Sequence, residues 1–102
     1  MSRKILQVNF RFHVSRAEYE TVVGPMADTI AAVPGLLWTL WLVNEAGQEA
    51  GGIHLFDDSS SLDAYINSEI LAGIIGHPAL SDFRVSQFDV LDAATTVTHG
   101  PV

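Results

Sequence analysis

Three stretches of the chain have the apolar and polar spacing of β-strands. Residues 5–12 alternate, so that one face of the predicted strand is fully apolar and consists of Leu6, Val8, Phe10 and Phe12. Residues 34–56 predict a β-hairpin that is apolar on both faces, with its turn in Asn44 to Glu49. Residues 83–91 predict a fourth, short strand. These stretches together predict four strands.

The segment after the first strand predicts a helix, because its apolar residues recur at every third or fourth position. It begins at Ser15, which with Glu18 has the spacing of a capping box. It ends at Pro34-Gly35. Gly24-Pro25 falls inside the pattern and predicts either a kink or two shorter helices, because proline lacks the helical N–H.

The segment after the hairpin predicts a second helix. Residues 57–61 are rich in helix-capping residues, Asp57 and Asp58 are explained by capping this helix, and Ser60 with Asp63 repeats the capping spacing. Residues 71–75 are apolar all round and predict a buried last turn or a separate short helix, which Gly76-His77-Pro78 ends. Residues 93–102 show no periodicity and are predicted to be a C-terminal tail, either loose or lying on a partner.

The order strand, helix, strand, strand, helix, strand predicts an α+β, ferredoxin-like βαββαβ fold with an antiparallel four-stranded sheet and helices on one face. Residues 1–92 are long enough for one such domain. The second apolar face of the hairpin needs a cover. Two sheets packed face to face would supply it, so the pattern predicts a homodimer with the form of a dimeric α+β barrel.

Charge and composition exclude several kinds of binding partner and site. The 102 residues carry twelve acidic and five basic side chains, a formal net charge of -7, and no cysteine. We expect no nucleic-acid partner, because nucleic acids are bound by cationic surfaces. The missing cysteines exclude disulfides and thiolate sites. The sequence contains neither a signal peptide nor a stretch that could span a membrane, which predicts a cytoplasmic protein without a membrane partner.

His54 is the first candidate for chemistry. It shares a strand face with Gly52 and Phe56, and a small glycine beside a histidine predicts a hollow lined by a titratable group. A base in such a hollow suits deprotonation of a phenol or an activated carbon. The structural alternative is a core histidine with satisfied hydrogen bonds, next to a glycine that serves a β-bulge.

Aromatic residues supply the candidate walls of a substrate site. Trp38 and Trp41 lie on opposite strand faces, so at most one of them lines the same hollow as His54. Tyr65 and His77 lie on the inner stripe and at the end of the second helical segment, where they are candidates for an acid–base pair. No metal site is predicted, because the four histidines do not pair at metal-binding spacings.

Several segments resemble the YdhR-type mono-oxygenase family of dimeric α+β barrels, which is related to antibiotic-biosynthesis mono-oxygenases. The segments are Gln7 with 10–12, 34–38 with Trp41, 49–56 (EAGGIHLF), 77–83 (HPALSDF) and 87–90 (QFDV). The resemblance covers nearly the whole domain. One position departs from the pattern, since His54 stands where the family is expected to carry an aromatic residue such as tyrosine.

The resemblance implies a cofactor-independent mono-oxygenase acting on a small, flat aromatic molecule such as a phenol or quinone. In that reading His54 is the base, and the walls are formed by Trp38 or Trp41 with Phe10, Phe12 and Phe56. Related barrels include cyclases and isomerases that use a tyrosine and a histidine as acid and base. A non-catalytic homodimer, with a ligand-binding or structural role, is the alternative from another class.

Overall fold

The computed structural model describes residues 3–101. In chain order it contains strand β1 (Lys4–Phe12), helix α1 (Arg16–Ala31), strands β2 (Leu36–Asn44) and β3 (Glu49–Phe56), helices α2 (Ser59–Ile66) and α3 (Glu69–Ile75), strand β4 (Leu80–Asp89) and helix α4 (Asp92–Val97). The strands form one antiparallel sheet in the order β2-β3-β1-β4. The predicted ferredoxin-like βαββαβ fold is confirmed.

The inner face of the sheet is the face that the helices cover. Its centre is the apolar side of β1, whose four residues are at most 4% exposed. Directly paired residues of antiparallel strands point to the same face. The register therefore adds Ala50, Gly52, His54 and Phe56 from β3, and Thr39, Trp41 and Val43 from β2. Both His54 and Trp41 thus face the helices.

The outer face points away from the helices. It carries Ile5, Gln7 and Asn9 of β1, Trp38, Leu40 and Leu42 of β2, Ile53 and Leu55 of β3, and Phe88 of β4. Leu40 and Phe88 are 53% and 50% exposed, whereas Leu55 is fully buried. The indole Nε1–H of Trp38 donates to the carbonyl of Pro101 at 3.0 Å, so the end of the chain contacts β2.

Helix α1 begins where its capping box predicts. The hydroxyl of Ser15 accepts a hydrogen bond from the N–H of Glu18 at 3.2 Å. The helix then continues through Pro25 to Ala31, so the alternative of two shorter helices is wrong. A proline costs one helical hydrogen bond. The apolar side of α1, which packs on the core through residues such as Ile30, holds the two halves together.

Helix α2 begins within the predicted capping run. Its N-cap is Asp58, whose carboxylate accepts from the N–H of Ser61 at 2.8 Å, and this hydrogen bond also holds the pKa of Asp58 below its ordinary value. The prediction that the Asp57–Asp58 pair caps this helix is confirmed, whereas Ser60 is not the N-cap, because Asp58 has the extended backbone that an N-cap requires. Residues 69–75 form the separate short helix α3, capped by Ser68.

The last strand and the tail also differ from the prediction. Strand β4 begins at Leu80 rather than Phe83, because its first residues pair with the end of β1 before a bulge at which Asp82 adopts a φ of 55°. The tail forms helix α4 within residues predicted to lack regular structure. Leu91 and Val97, which flank or end this helix, are 77% and 76% exposed.

The two glycines of the EAGGIHLF segment have different structural roles. A Cβ atom on Gly51 would collide with the backbone carbonyl oxygen of Val8, so this position requires glycine. A Cβ on Gly52 would instead meet the imidazole of His54, at 3.2 Å from Nε2. Gly51 allows two strands to approach closely, while Gly52 makes room for a side chain.

Candidate functional site

His54 lies in the middle of β3 and is 3% exposed. Its Nδ1 shares a 2.9 Å hydrogen bond with the hydroxyl of Thr39 on the neighbouring strand, and the imidazole tautomer decides which atom donates. Tyr65 of α2 covers the imidazole, with 5.7 Å between the two ring centroids. Because β2, β3 and α2 each supply one of these side chains, the cluster depends on the tertiary fold.

Burial controls the charge of His54. Desolvation lowers its pKa from 6.5 to about 4, because the imidazolium would lose its hydration inside the protein. The imidazole is therefore neutral at pH 7 and has one nitrogen that donates and one that accepts. One nitrogen bonds to Thr39, and the edge of the ring that carries Nε2 lies over Gly52.

The prediction of an empty hollow between His54 and Gly52 is wrong. The imidazole itself occupies that space, since Nε2 and Cε1 lie 3.2 and 3.3 Å from where a Gly52 Cβ would be. The small residue accommodates the histidine instead of leaving an empty pocket beside it. Two side chains in contact with His54 border grooves: Thr39 on the edge strand and Tyr65 on α2.

Two grooves lie between helix α1 and edge strand β2, one on each side of Trp41. The first has a volume of about 310 Å³ and is lined by Arg16, Tyr19, Glu20, Val23, Gly24, Trp41, Leu42 and Val43. The second has a volume of about 400 Å³ and is lined by Ala27, Asp28, Ile30, Ala31, Leu36, Leu37, Trp38, Thr39 and Trp41. We call these the Tyr19 groove and the Thr39 groove. The indole of Trp41 separates them.

The Thr39 groove reaches the hydrogen-bond partner of His54. Thr39 lies in its wall, and its hydroxyl is the atom bonded to Nδ1. Two of the α1 residues in this wall are alanines, Ala27 and Ala31, whose small side chains leave space between the helix and the edge strand. A flat molecule in this groove would lie beside the indole of Trp41, an arrangement suited to aromatic stacking.

Tyr19 is a candidate that the sequence analysis did not identify. It is 4% exposed, and among the residues that the structure describes its hydroxyl has no hydrogen-bond partner. Its ring stacks on Phe12, with centroids 4.9 Å apart and planes 20° apart. Burial raises the pKa of Tyr19 to about 12, so the group stays protonated. In the sequence, the signal was a tyrosine on the apolar stripe of a helix, where its hydroxyl requires a partner.

The predicted catalytic residues are only partly brought together. Tyr65 lies against His54, and burial raises its pKa to about 12. It also lines a groove of about 290 Å³ near Pro34 and Ser61. His77 lies elsewhere, in a groove of about 430 Å³ between α1 and α3, and its Nδ1 accepts from the N–H of Ala79 at 3.1 Å. A pair formed by Tyr65 and His77 is not present.

The predicted wall residues divide in the same way. Trp41 borders both grooves from the inner face, whereas Trp38 lies on the outer face and borders only the Thr39 groove. Phe10, Phe12 and Phe56 are members of the hydrophobic core. Within residues 3–101, no three histidine or acidic side chains gather as metal ligands would. No helix in that range is both long and apolar enough to cross a membrane.

The fold places the chain among ferredoxin-like α+β proteins. Residues 5–101 match the model of the family described as "Putative mono-oxygenase ydhR", and the chain belongs to that family. The resemblance drawn from the sequence is confirmed. No functionally curated protein sequence matches the chain significantly.

Solved structures share the fold at low sequence identity. The protein NE2512 of Nitrosomonas europaea is 19% identical, with a TM-score of 0.74 over 89% of this chain and 91% of its own. SnoaB, a cofactor-independent oxygenase from Streptomyces nogalater, is 20% identical, with a TM-score of 0.72 over 88% and 94%. A dimeric ferredoxin-like protein from Thermobifida fusca is 20% identical, with a TM-score of 0.67 over 87% and 92%.

Proposed function

We propose that this protein is a cofactor-independent mono-oxygenase that oxidises a small, flat phenol or quinone-like molecule, with His54 as the proton acceptor. The observation that carries the proposal is the Thr39–His54 pair. It places a neutral imidazole among the buried apolar residues of the core, with its partner hydroxyl in the wall of a groove. Membership of the mono-oxygenase family and the fold shared with SnoaB also support it.

The proposed reaction needs no reductant other than the substrate. A phenol in the Thr39 groove gives its proton to the Thr39 hydroxyl, which passes its own proton to Nδ1 of His54. The phenolate then gives electrons to O2 and forms a C–O bond at a ring carbon. The O–O bond breaks as the hydrogen on that carbon leaves as a proton. One oxygen atom stays on the ring as a carbonyl, and the other leaves as water with the two protons. The substrate is oxidised to a quinone and O2 is fully reduced.

The low pKa of His54 is compatible with this role only inside a closed, water-poor site. In the free protein the imidazole is a weak base, because burial disfavours its charged form. A phenolate forming next to it supplies the opposite charge that stabilises the imidazolium. Exclusion of water strengthens that attraction and makes the electron-rich phenolate more reactive toward O2.

The activity can be tested by measuring O2 consumption and quinone formation with a panel of phenols and hydroquinones. We expect turnover without added flavin or metal, unaffected by a chelator, and a loss of at least about 100-fold in His54→Gln, the usual scale for a general base. His77→Gln is the matched control and should keep the activity, because His77 lies in another groove. Strict dependence on flavin or metal would refute the cofactor-independent mechanism.

The pH profile provides a second test of His54. kcat/KM reports the ionisation of groups in the free enzyme. Because burial places the pKa of His54 near 4, kcat/KM should not decline through loss of the neutral imidazole between pH 8 and pH 5, and its acid limb should lie near pH 4. An acid limb near pH 6.5 that disappears in His54→Gln would show that His54 acts as a solvated base and would contradict the proposed water-poor site.

A non-catalytic dimer that binds a small ligand is the second candidate function. The space above Gly52 is filled by the imidazole, as in a histidine with a purely structural role. In that case an aromatic ligand would raise the melting temperature while no O2 is consumed. A product formed without O2 consumption would instead indicate a cyclase or isomerase.

The outer face supports the proposal that the protein is a homodimer. Leu40 and Phe88 are half exposed on this face, which also carries Ile5 and Ile53. Apolar patches of this kind on soluble proteins mark contact sites, and a second sheet would cover this one. One structural neighbour, from Thermobifida fusca, is described as dimeric.

Sedimentation at micromolar concentration tests the dimer. We expect a species of twice the chain mass. Leu40→Arg should weaken the association at least about tenfold, because it places a charge where the two sheets would meet. Ile75→Arg is the matched control, since Ile75 is similarly exposed, at 46%, but lies on α3, away from the outer face. A compact monomer of the unmodified chain would contradict the proposal.

A further inference from the structure

The hydroxyl of Tyr19 is a buried polar group that has no hydrogen-bond partner among the described residues. Within residues 3–101 it is the one buried side-chain polar atom that lacks a hydrogen-bond partner. A buried hydroxyl in that state carries an energetic cost, so it is expected only where something compensates for it. Tyr19 lines a groove that a ligand can enter, which offers such compensation.

The tyrosine ring is held in a fixed position. Tyr19 lies in the first turns of α1, just after the capping residue Ser15, so the helix start fixes its backbone. Its ring packs against two strand residues, Phe12 at 4.9 Å and Phe10 at 6.1 Å between centroids. A hydroxyl on a ring held in this way can bind a ligand atom with little further loss of conformational freedom.

The Tyr19 groove is shaped for an apolar molecule. Tyr19, Val23, Trp41 and Val43 supply aromatic and aliphatic walls. Gly24 widens it on the helix side: in the part of the chain that the structure describes, an added Cβ there would meet no heavy atom within 4 Å. Arg16 stands at the rim and forms an ion pair with Glu45 of the β2–β3 turn at 3.3 Å. The charges are therefore at the entrance, and the walls are apolar.

We propose that the Tyr19 groove is a binding subsite for an apolar aromatic molecule that carries a carbonyl or other acceptor oxygen, to which the Tyr19 hydroxyl donates a hydrogen bond. Trp41 borders this groove and the Thr39 groove. Because the Tyr19 hydroxyl is buried, the proposal requires a wall side chain to move aside when the ligand binds. The inference deepens the proposed function. Only one part of it rests on the proposed function, namely that the ligand bound in this groove is the substrate of the enzyme.

Binding of two matched probes tests the subsite without turnover. The probes are 2-acetylnaphthalene, which has an acceptor oxygen, and 2-ethylnaphthalene, which has the same shape without it. Dissociation constants are measured by NMR titration of the full chain. We expect the ketone to bind at least about tenfold more tightly, equivalent to about 1.4 kcal/mol. Tyr19→Phe should abolish this preference and leave the Kd of the hydrocarbon unchanged.

A second pair of variants tests the location. Gly24→Leu should fill the groove and weaken both probes at least tenfold, while Gly73→Leu should not. Gly73 is the matched control because it is also a helical glycine whose added Cβ meets nothing within 4 Å in the described structure, but it lines the groove of His77. Equal binding of the two probes, no binding of either, or a ketone preference that persists in Tyr19→Phe would overturn the proposal. Because no step depends on O2, a failed oxidation assay would leave this result unaffected.

Discussion

The two faces of the same sheet differ in what covers them, and this difference determines the chemistry of their polar groups. On the inner face, helices exclude water from His54, and burial lowers its pKa to about 4. On the outer face, Arg84 and Glu49 form an ion pair at 2.7 Å with side chains that are 73% and 37% exposed. Burial, rather than residue type, turns a polar side chain into a candidate for catalysis.

The largest difference in stability between the two faces is expected for substitutions of Gly51 on the outer face and Gly52 on the inner face. Gly51→Ala should lower the free energy of unfolding by more than about 4 kcal/mol, because its Cβ meets backbone that cannot move aside. Gly52→Ala should cost about 1–3 kcal/mol, because the imidazole of His54 can shift slightly. Urea denaturation of both variants measures the difference. Equal costs would show that the close approach of β1 and β3 at Gly51 is not rigid.

The pH dependence of stability should report the burial of His54. Its pKa is about 4 in the folded protein and ordinarily 6.5, so between these values the unfolded chain binds the proton more readily. The free energy of unfolding should therefore fall by about 3 kcal/mol as the pH falls from 6.5 through 4, and the loss caused by this group should level off about one unit below pH 4. Denaturation curves at several pH values test this. The decrease should be absent in His54→Gln.

Tyr19→Phe should stabilise the free protein by about 1 kcal/mol, because it removes a buried hydroxyl without a partner in the described structure. A rise in the urea midpoint with an unchanged denaturant slope would demonstrate this effect. The same substitution should remove the preference for a ketone ligand, so stability and binding should change in opposite directions. A loss of stability would indicate that the hydroxyl does have a partner when the ligand is absent.

The smallest effect is expected for the ion pair of the outer face. Glu49→Gln should change the free energy of unfolding by less than about 1 kcal/mol, because solvent and salt screen the exposed pair. Urea denaturation at low and high ionic strength separates the contribution of this ion pair from contributions that do not depend on salt. A larger, salt-independent loss would mean that another surface, such as a second subunit, covers the pair.

The alternation of apolar residues in β1 was sufficient to predict which of its residues are buried, because side chains alternate strictly along a strand. The capping box at Ser15 predicted the start of α1 for a similarly local reason. The start of α2 was harder to predict, since Asp58 and Ser60 both fit the pattern and only the structure distinguishes them. The helix in the tail carried no amphipathic signal.

The candidate site was only half predictable. His54 was identifiable because a histidine rarely lies among apolar strand residues, and here a glycine occupies the neighbouring position on the same strand face. Its partner Thr39 was not, because the strand register places the two together across 15 positions of sequence. The assignment of Trp41 to the inner face and Trp38 to the outer face likewise required the pairing of β2 with β3, since the hairpin is apolar on both sides.

The sequence by itself determined the βαββαβ order of the core, the buried side of β1 and the family, because periodicity, capping and local motifs are properties of neighbouring residues. The tertiary structure decided that Thr39 partners His54, that the imidazole occupies the space above Gly52, and that Tyr19 is left beside a groove. These outcomes depend on which distant residues come within a few ångströms of each other. Strand register and helix packing set those distances, and local patterns do not encode them.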